Sequence, residues 1–179
     1  MYHRQTAANY AMRWALSRNP KFPNYSFAAP NPGGGGDCTN FISQCLLAGG
    51  WPMVEGGFGQ WNWAWWANSE DSSRCWSSAR WFGDYIYDYG KAKICARSDL
   101  DLGDLVTIYN GDHVMHVMII TAMRSGVDGD ELLYCGHSTD RLNYPLAIAE
   151  DDYKGHDIFY WKVQSFWGGP GWHDYSTDP

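Results

Sequence analysis

The sequence has few charged residues and no cluster of basic ones. Charged side chains make up 18% of the 179 residues, and the formal net charge is −7. Proteins that bind nucleic acid need grouped Lys and Arg side chains to neutralise phosphates, so this composition argues against a nucleic-acid partner. No apolar run approaches the ~20 residues that span a bilayer, and we predict no membrane span.

Motifs for export, metals and nucleotides are also missing. Residues 1–5 lack the apolar core of a signal peptide, so we expect an intracellular start, or a mature or excised domain. The five cysteines include no Cys-x-x-Cys pair, and we expect neither a metal nor a cofactor. The run Gly33–Gly36 lacks the Gly-Lys-Ser/Thr ending of a P-loop. An odd number of cysteines leaves one thiol free if the others pair, and Cys38 is the natural candidate.

Aromatic residues, in contrast, are abundant. They make up 17% of the chain and include 11 Trp and 12 Tyr. A chain of this length and composition can bury a sizeable core without disulfides or metals. We predict one domain over residues 1–179, with its core over about 5–163 and a polar tail over about 167–179.

A helical pattern begins directly after the glycine run. Its apolar stripe ends at a pair of glycines, and Asp37 stands at the position of an N-cap. Cys38 therefore falls in the first turn, where the positive end of the helix dipole favours a thiolate. A thiolate is the nucleophile of cysteine catalysis. The alternative is a small residue that simply packs at a helix start. The stripe comprises Phe41, Ile42, Cys45 and Leu46.

The remaining periodicity predicts helices first and strands afterwards. Short turns separate the strands, which is typical of an α+β fold whose antiparallel sheet packs on the Cys38 helix. The predicted helices cover residues 6–18 and about 72–89, and the predicted strands cover residues 105–109, 114–121, 131–135 and 157–163.

A nucleophilic cysteine needs an imidazole to accept its proton. His116 lies in the second predicted strand and His113 in the turn before it. Their side chains should point to opposite faces if both are extended, so only one can face Cys38. We favour His116, because it shares its parity with the apolar residues Val114, Met118 and Ile120.

A third polar group usually orients such an imidazole. The third strand leads into Gly136-His137-Ser138-Thr139-Asp140, which offers two candidates. His137 leaves the strand first and is favoured, whereas Asp140 is electrostatically better suited to stabilise an imidazolium.

Substrate contacts are expected from the segment over residues 50–71, which is rich in Trp, Gly and Asn. We predict that it is irregular and that Trp61, Trp63 and Trp65 offer flat faces to a glycan or peptide. The alternative is that these rings fill a small core from a loop. Tyr25 and Asn40, on either side of Cys38, complete the predicted substrate-binding set.

The segments Asp37-Cys38-Thr39-Asn40-Phe41 and His137-Ser138-Thr139-Asp140, with His116 between them, resemble the bacterial putative amidase domain family. That family is similar to the papain-like NlpC and CHAP peptidoglycan hydrolases. The resemblance runs from about residue 10 to residue 161. It implies a papain-like fold and a Cys–His hydrolase of amide bonds, with Cys38 as nucleophile, His116 as base and His137 in the third position.

One departure from papain concerns the oxyanion hole. Pro32 stands where papain has a Gln. We expect the Cys38 backbone amide to act there instead, with an upstream side chain such as Tyr25 or Asn31.

The expected function is therefore amide hydrolysis, with peptidoglycan or a peptide as substrate and a secreted or cell-envelope location. Two other readings remain open. One is a non-catalytic module that binds glycan or peptide through its Trp cluster, and the other is a transglutaminase-like acyl transferase. The oligomeric state is left open.

Overall fold

A computed structural model of the chain describes residues 1–26, 36–55, 64–126 and 129–165. None of the helices within these ranges is long and apolar enough to cross a membrane. The helices are α1 (Arg4–Trp14), α2 (Cys38–Ala48), α3 (Arg74–Ser77), α4 (Ala79–Asp88) and α5 (Leu146–Asp152), with a 3-10 turn at Arg97–Asp99. The strands are β1 (Ala92–Cys95), β2 (Leu105–Asn110), β3 (His113–Gly126), β4 (Gly129–Gly136), β5 (Arg141–Pro145) and β6 (Asp157–Val163).

The six strands form one antiparallel sheet in the order β1-β6-β2-β3-β4-β5. This confirms the predicted α+β class and all four predicted strands. The short strands β1 and β5 and the helix α5 were not predicted. The helix predicted over residues 72–89 is two helices, because Ser78 between them adopts an extended conformation (φ −107°, ψ 125°).

The two faces of the sheet carry different hydrophobic clusters. Helices α1, α2 and α4 cover one face, where Phe41 and Phe82 pack with Val117 and Ile119 of β3. The other face packs against α5 and includes Met118. Strand β3 therefore lies between both clusters, and its buried residues alternate between them as the pleat requires.

In the described part of the Trp-rich segment, Trp51 and Trp65 belong to the hydrophobic core. Trp65 has no exposed surface and lies against Trp51, Trp76 and Tyr85. Its indole N–H donates to the Ser43 hydroxyl at 3.0 Å. The prediction that Trp65 binds substrate is therefore wrong, because the large apolar ring is fully removed from solvent. Trp61 and Trp63 lie outside the described residues.

A buried carboxylate fastens the N-terminus to the sheet. Asp104, just before β2, has no exposed surface and pairs with Arg4 and with Lys162, whose Nζ lies 3.0 Å away. It also accepts from the backbone N–H of Val163 at 2.9 Å. The Gly103-Asp104 turn thus joins α1, β2 and β6.

Candidate active site

Cys38 is the first residue of α2, and its thiol contacts the backbone of Val117 in β3. The residue is only 4% exposed. Burial by itself raises the pKa of the thiol, because a charge is poorly solvated inside a protein. Hydrogen bonding and charge interaction with His116, together with hydrogen bonds from Thr39 and the Val117 backbone, outweigh this and leave the pKa below its ordinary value. The Thr39 hydroxyl lies 3.7 Å from the sulfur.

The other cysteines have the opposite character. All five cysteines lie in the described part of the chain, and none of them forms a disulfide. Burial raises the pKa of each of the other four, and that of Cys75 reaches about 12. Cys38 is thus the only cysteine of this chain whose surroundings favour the thiolate. The other three with raised values are Cys45, Cys95 and Cys135.

His116 reaches the Cys38 thiol from β3, and Met118 and Ile120 share its face as predicted, but Val114 does not. A bulge shifts the β2–β3 register, so that Ile108 pairs with His116 and Tyr109 with Val114. Val114 consequently packs against Gly83 of α4, on the helix-covered face. The His116 ring instead stacks on Tyr153, 6.0 Å between centroids with the planes 28° apart, and Tyr153 packs against the cluster on the opposite face.

His113, the rival base, lies in the exposed β2–β3 hairpin. Its Nδ1 is 3.0 Å from the Asp112 carboxylate, and its side chain is 40% exposed. The histidine that interacts with the Cys38 thiol is therefore His116 and not His113.

Tyr153 is a site residue that the sequence did not reveal. It follows α5 directly and stacks on His116. Burial raises the pKa of its phenol, and the neighbouring Cys38 adds to this. Pro145 followed by Leu146 and Ala149 is a signal for a short helix. That signal could have found α5, but not the contact between Tyr153 and His116.

His137, predicted to orient His116, has its ring nitrogens directed elsewhere. Nδ1 lies 2.7 Å from the Asp37 carboxylate and Nε2 lies 3.0 Å from the carbonyl oxygen of Trp14. The ring also stacks on Phe41, with centroids 3.9 Å apart. Both nitrogens are thereby occupied at the end of α1 and the start of α2.

Asp140, the second candidate for orienting His116, is paired with Arg18. Both carboxylate oxygens accept from the guanidinium, at 3.0 and 2.8 Å. This pairing holds the pKa of Asp140 below its ordinary value. The described geometry therefore supports neither Asp140 nor His137 as the group that orients His116.

Asp37 does not cap α2 with its side chain, contrary to the prediction. Its carboxylate, which has no exposed surface, forms an ion pair with Arg18, whose Nε lies 2.7 Å away, and accepts a hydrogen bond from His137. It also accepts from the Asn40 side-chain amide at 2.7 Å and the Tyr25 backbone N–H at 3.2 Å. These three hydrogen bonds and the ion pair occupy the carboxylate oxygens, which therefore do not turn toward the helix amides.

The predicted substrate-binding role of Asn40 is wrong, because its side chain is buried and hydrogen-bonded inside the protein. The residue is 1% exposed; its amide also donates to the Pro23 carbonyl and its oxygen accepts from the Trp76 indole, each at 2.8 Å. The Tyr25 hydroxyl lies 2.8 Å from the Ser72 hydroxyl and is half-buried, so it is already partnered. Asn31, the other suggested oxyanion donor, lies outside the described residues.

No group of three or more metal-ligating side chains occurs within residues 1–26, 36–55, 64–126 and 129–165. A buried thiol with a lowered pKa beside an imidazole can attack an electrophilic carbon and exchange a proton with the leaving group.

Comparison with known proteins gives two relatives from Bacillus subtilis (strain 168). The chain is 32% identical over 132 residues to "Uncharacterized protein YhbB" and 30% identical over 156 residues to "Uncharacterized protein YjcM". These alignments cover 70% and 80% of this chain but 39% and 32% of the relatives, so the chain spans well under half of their length. No solved structure gives a significant match.

A family model provides the broader assignment. The model described as "Putative amidase domain" matches residues 1–160, which includes Cys38, His116 and His137. This confirms the family resemblance drawn from the two motifs, and at the level of the family it indicates a hydrolase of C–N amide bonds. The chain belongs to the putative amidase domain family.

Proposed function

We propose that the protein is a cysteine-dependent amide hydrolase of papain-like type, with Cys38 as nucleophile and His116 as base. The observation that supports this most strongly is the contact between the two residues. Burial alone would raise the pKa of Cys38, yet its interactions leave that pKa lowered, with His116 the chief cause. A thiolate beside an imidazole is the arrangement that covalent amide hydrolysis requires.

The reaction would proceed in two steps. The Cys38 sulfur attacks the amide carbonyl carbon, the C–N bond breaks, and His116 delivers a proton to the departing amine. Water, deprotonated by His116, then attacks the thioester carbon, the C–S bond breaks, and the acid product leaves with the thiol regenerated. Tyr153 would hold the His116 ring in place by stacking, since the ring centroids lie 6.0 Å apart with their planes inclined by 28°.

Donors for the oxyanion are available at the start of α2. The first backbone N–H groups of a helix have no intrahelical partner, and the Asp37 side chain does not cap them. We propose that the Cys38 N–H is one such donor. It belongs to the same residue as the nucleophile, so it faces the carbonyl oxygen as the sulfur attacks the carbon.

The substrate is proposed to be an amide bond of peptidoglycan or of a peptide, by the likeness to NlpC and CHAP enzymes, with action outside the cell or in its envelope. The rival reading of a non-catalytic module relied on a Trp platform. Trp65, one of the three Trp residues predicted to bind substrate, is fully buried and offers no face to a glycan or peptide.

The decisive experiment incubates the protein with purified muropeptides and simple peptides and measures product masses. We expect products heavier by one water in total, and their loss in Cys38→Ala and His116→Ala but not in the His113→Ala control. Turnover that survives Cys38→Ala would contradict the proposal. If the wild-type protein binds muropeptides but does not cleave them, the non-catalytic module is favoured. If an added amine is incorporated in place of water, the acyl transferase is favoured.

A further inference from the structure

The two sequence motifs of this chain meet at the His137 ring. The side chain is 3% exposed and lies between the Asp37 carboxylate, the Trp14 carbonyl and the face of Phe41, whose plane is inclined by 22°. Asp37 and Phe41 lie one residue before and three residues after the proposed nucleophile. The imidazole is therefore enclosed by residues that flank Cys38 in the sequence.

The direction of the His137–Asp37 hydrogen bond follows from the chemistry of its partners. An ionised carboxylate only accepts, so Nδ1 of His137 donates at 2.7 Å. The guanidinium of Arg18 approaches the same carboxylate oxygen and also pairs with Asp140. Asp37 is thus held from the end of α1 and from the end of β4, immediately before the turn that carries Cys38.

A second contact ties the same two segments together. Ser138 follows His137 in the left-handed region, with φ +81°. A Cβ on Gly36 would collide with the Ser138 hydroxyl, so the backbone just before Asp37 approaches this turn closely. The end of β4 therefore forms a platform against which the start of α2 rests.

We infer that His137 is a positioning residue that donates to Asp37 and so fixes the first turn of α2 on which Cys38 sits. This differs from the expected third catalytic position, in which His137 would accept a hydrogen bond from the His116 ring and orient it. The inference rests on the proposed function insofar as Cys38 is the nucleophile. A displacement of about 1 Å at a reacting group can cost about a hundredfold in rate, so such a platform has catalytic value.

Two variants of equal size separate the roles. His137→Asn places an amide N–H where Nδ1 donates, whereas His137→Asp offers only acceptor oxygens. If His137 positions Asp37, the Asn variant keeps the contact and the Asp variant sets two carboxylates against each other. If His137 instead accepts from His116, the Asp variant should serve at least as well as the Asn variant.

The measurement is the pH dependence of Cys38 alkylation by iodoacetamide, followed by peptide mass mapping. We expect His137→Asn to keep the wild-type midpoint, and His137→Asp to raise that midpoint and slow labelling at neutral pH by about tenfold or more, because the Cys38–His116 contact loosens. An Asp variant that labels like wild type or like the Asn variant overturns the inference.

Asp37→Asn tests the same contact from the other side. This variant should also raise the alkylation midpoint. Combining it with His137→Ala should raise the midpoint little further, because both substitutions remove the same His137–Asp37 hydrogen bond. An unchanged midpoint in Asp37→Asn contradicts the inference even if His137→Asp does not fold.

Asp104→Asn serves as the matched control, since it removes a buried, multiply bonded carboxylate elsewhere. It should lower the melting temperature and leave the alkylation midpoint unchanged. The readout uses no substrate. Absence of hydrolysis with the expected alkylation pattern would therefore count against the proposed function alone.

Discussion

The His116–Cys38 contact leads to a quantitative prediction for the variant His116→Ala. Without the imidazole, burial is the largest remaining influence on the Cys38 thiol, and it raises the pKa. An ordinary cysteine with a pKa of about 8.5 is only about 0.3% thiolate at about pH 6. The buried variant thiol should be at or below that fraction, while the wild-type thiol, with its lowered pKa, is ionised to a larger extent.

Reactivity does not fall in full proportion to thiolate. A thiolate with a lower pKa is a weaker nucleophile, so each tenfold change in thiolate fraction changes the rate of attack on a disulfide only about threefold. The expected loss at about pH 6 is thus several-fold for a modest pKa change and more than about tenfold for a large one. The difference should shrink as the pH rises, because the variant thiol then ionises too.

The assay measures the rate of reaction of Cys38 with a small aromatic disulfide from mildly acidic to alkaline pH, with peptide mapping to assign the labelled thiol. His113→Ala is the control, because that ring lies in the exposed hairpin and pairs with Asp112. Superimposable profiles for wild type and His116→Ala would refute the reasoning, as would an equal loss in His113→Ala.

Three further outcomes are expected. Limited labelling at mildly acidic pH should modify Cys38 before the other four cysteines, although it is buried, since burial raises the pKa of all of those; first labelling elsewhere would contradict this. The Arg18 guanidinium lowers the pKa of Asp140, so the stability contributed by that pair should be fully present above about pH 5 and be lost as the pH falls through the lowered pKa. Melting curves of wild type and Asp140→Asn should therefore differ at neutral pH and converge in acid, and a constant gap would exclude this origin. Trp65→Ala should reduce the free energy of unfolding by about 3–5 kcal/mol in chemical denaturation, because it empties a fully buried site, whereas a ring that binds substrate from the surface would cost far less.

Local sequence patterns were sufficient to predict the helix and the strand that hold Cys38 and His116. The stripe from Phe41 to Leu46 with glycines at its end is sufficient to place a helix, and the structure begins that helix at Cys38. Short apolar runs bounded by turn residues placed β2, β3, β4 and β6, since strands that are buried on both faces carry continuous apolar sequence. The short edge strands β1 and β5 were not predicted, because four or five residues carry too little periodicity to be distinguished from a loop.

Contacts between distant segments were decided only by the tertiary structure. The structure brings His116 to the Cys38 thiol, but the bulge before it, which moves Val114 to the other face, depends on pairing with β2 and leaves no local signature. Asp37 has the sequence position of a helix cap, yet Arg18 and His137, from two other elements, draw its carboxylate away. A short-range pattern records propensity and burial, whereas the partner of a buried polar group is set by whichever donors the fold brings within about 3 Å. For that reason Cys38 could be proposed as the nucleophile from its helix alone, while the role proposed for His137 required the packing of α1, α2 and β4.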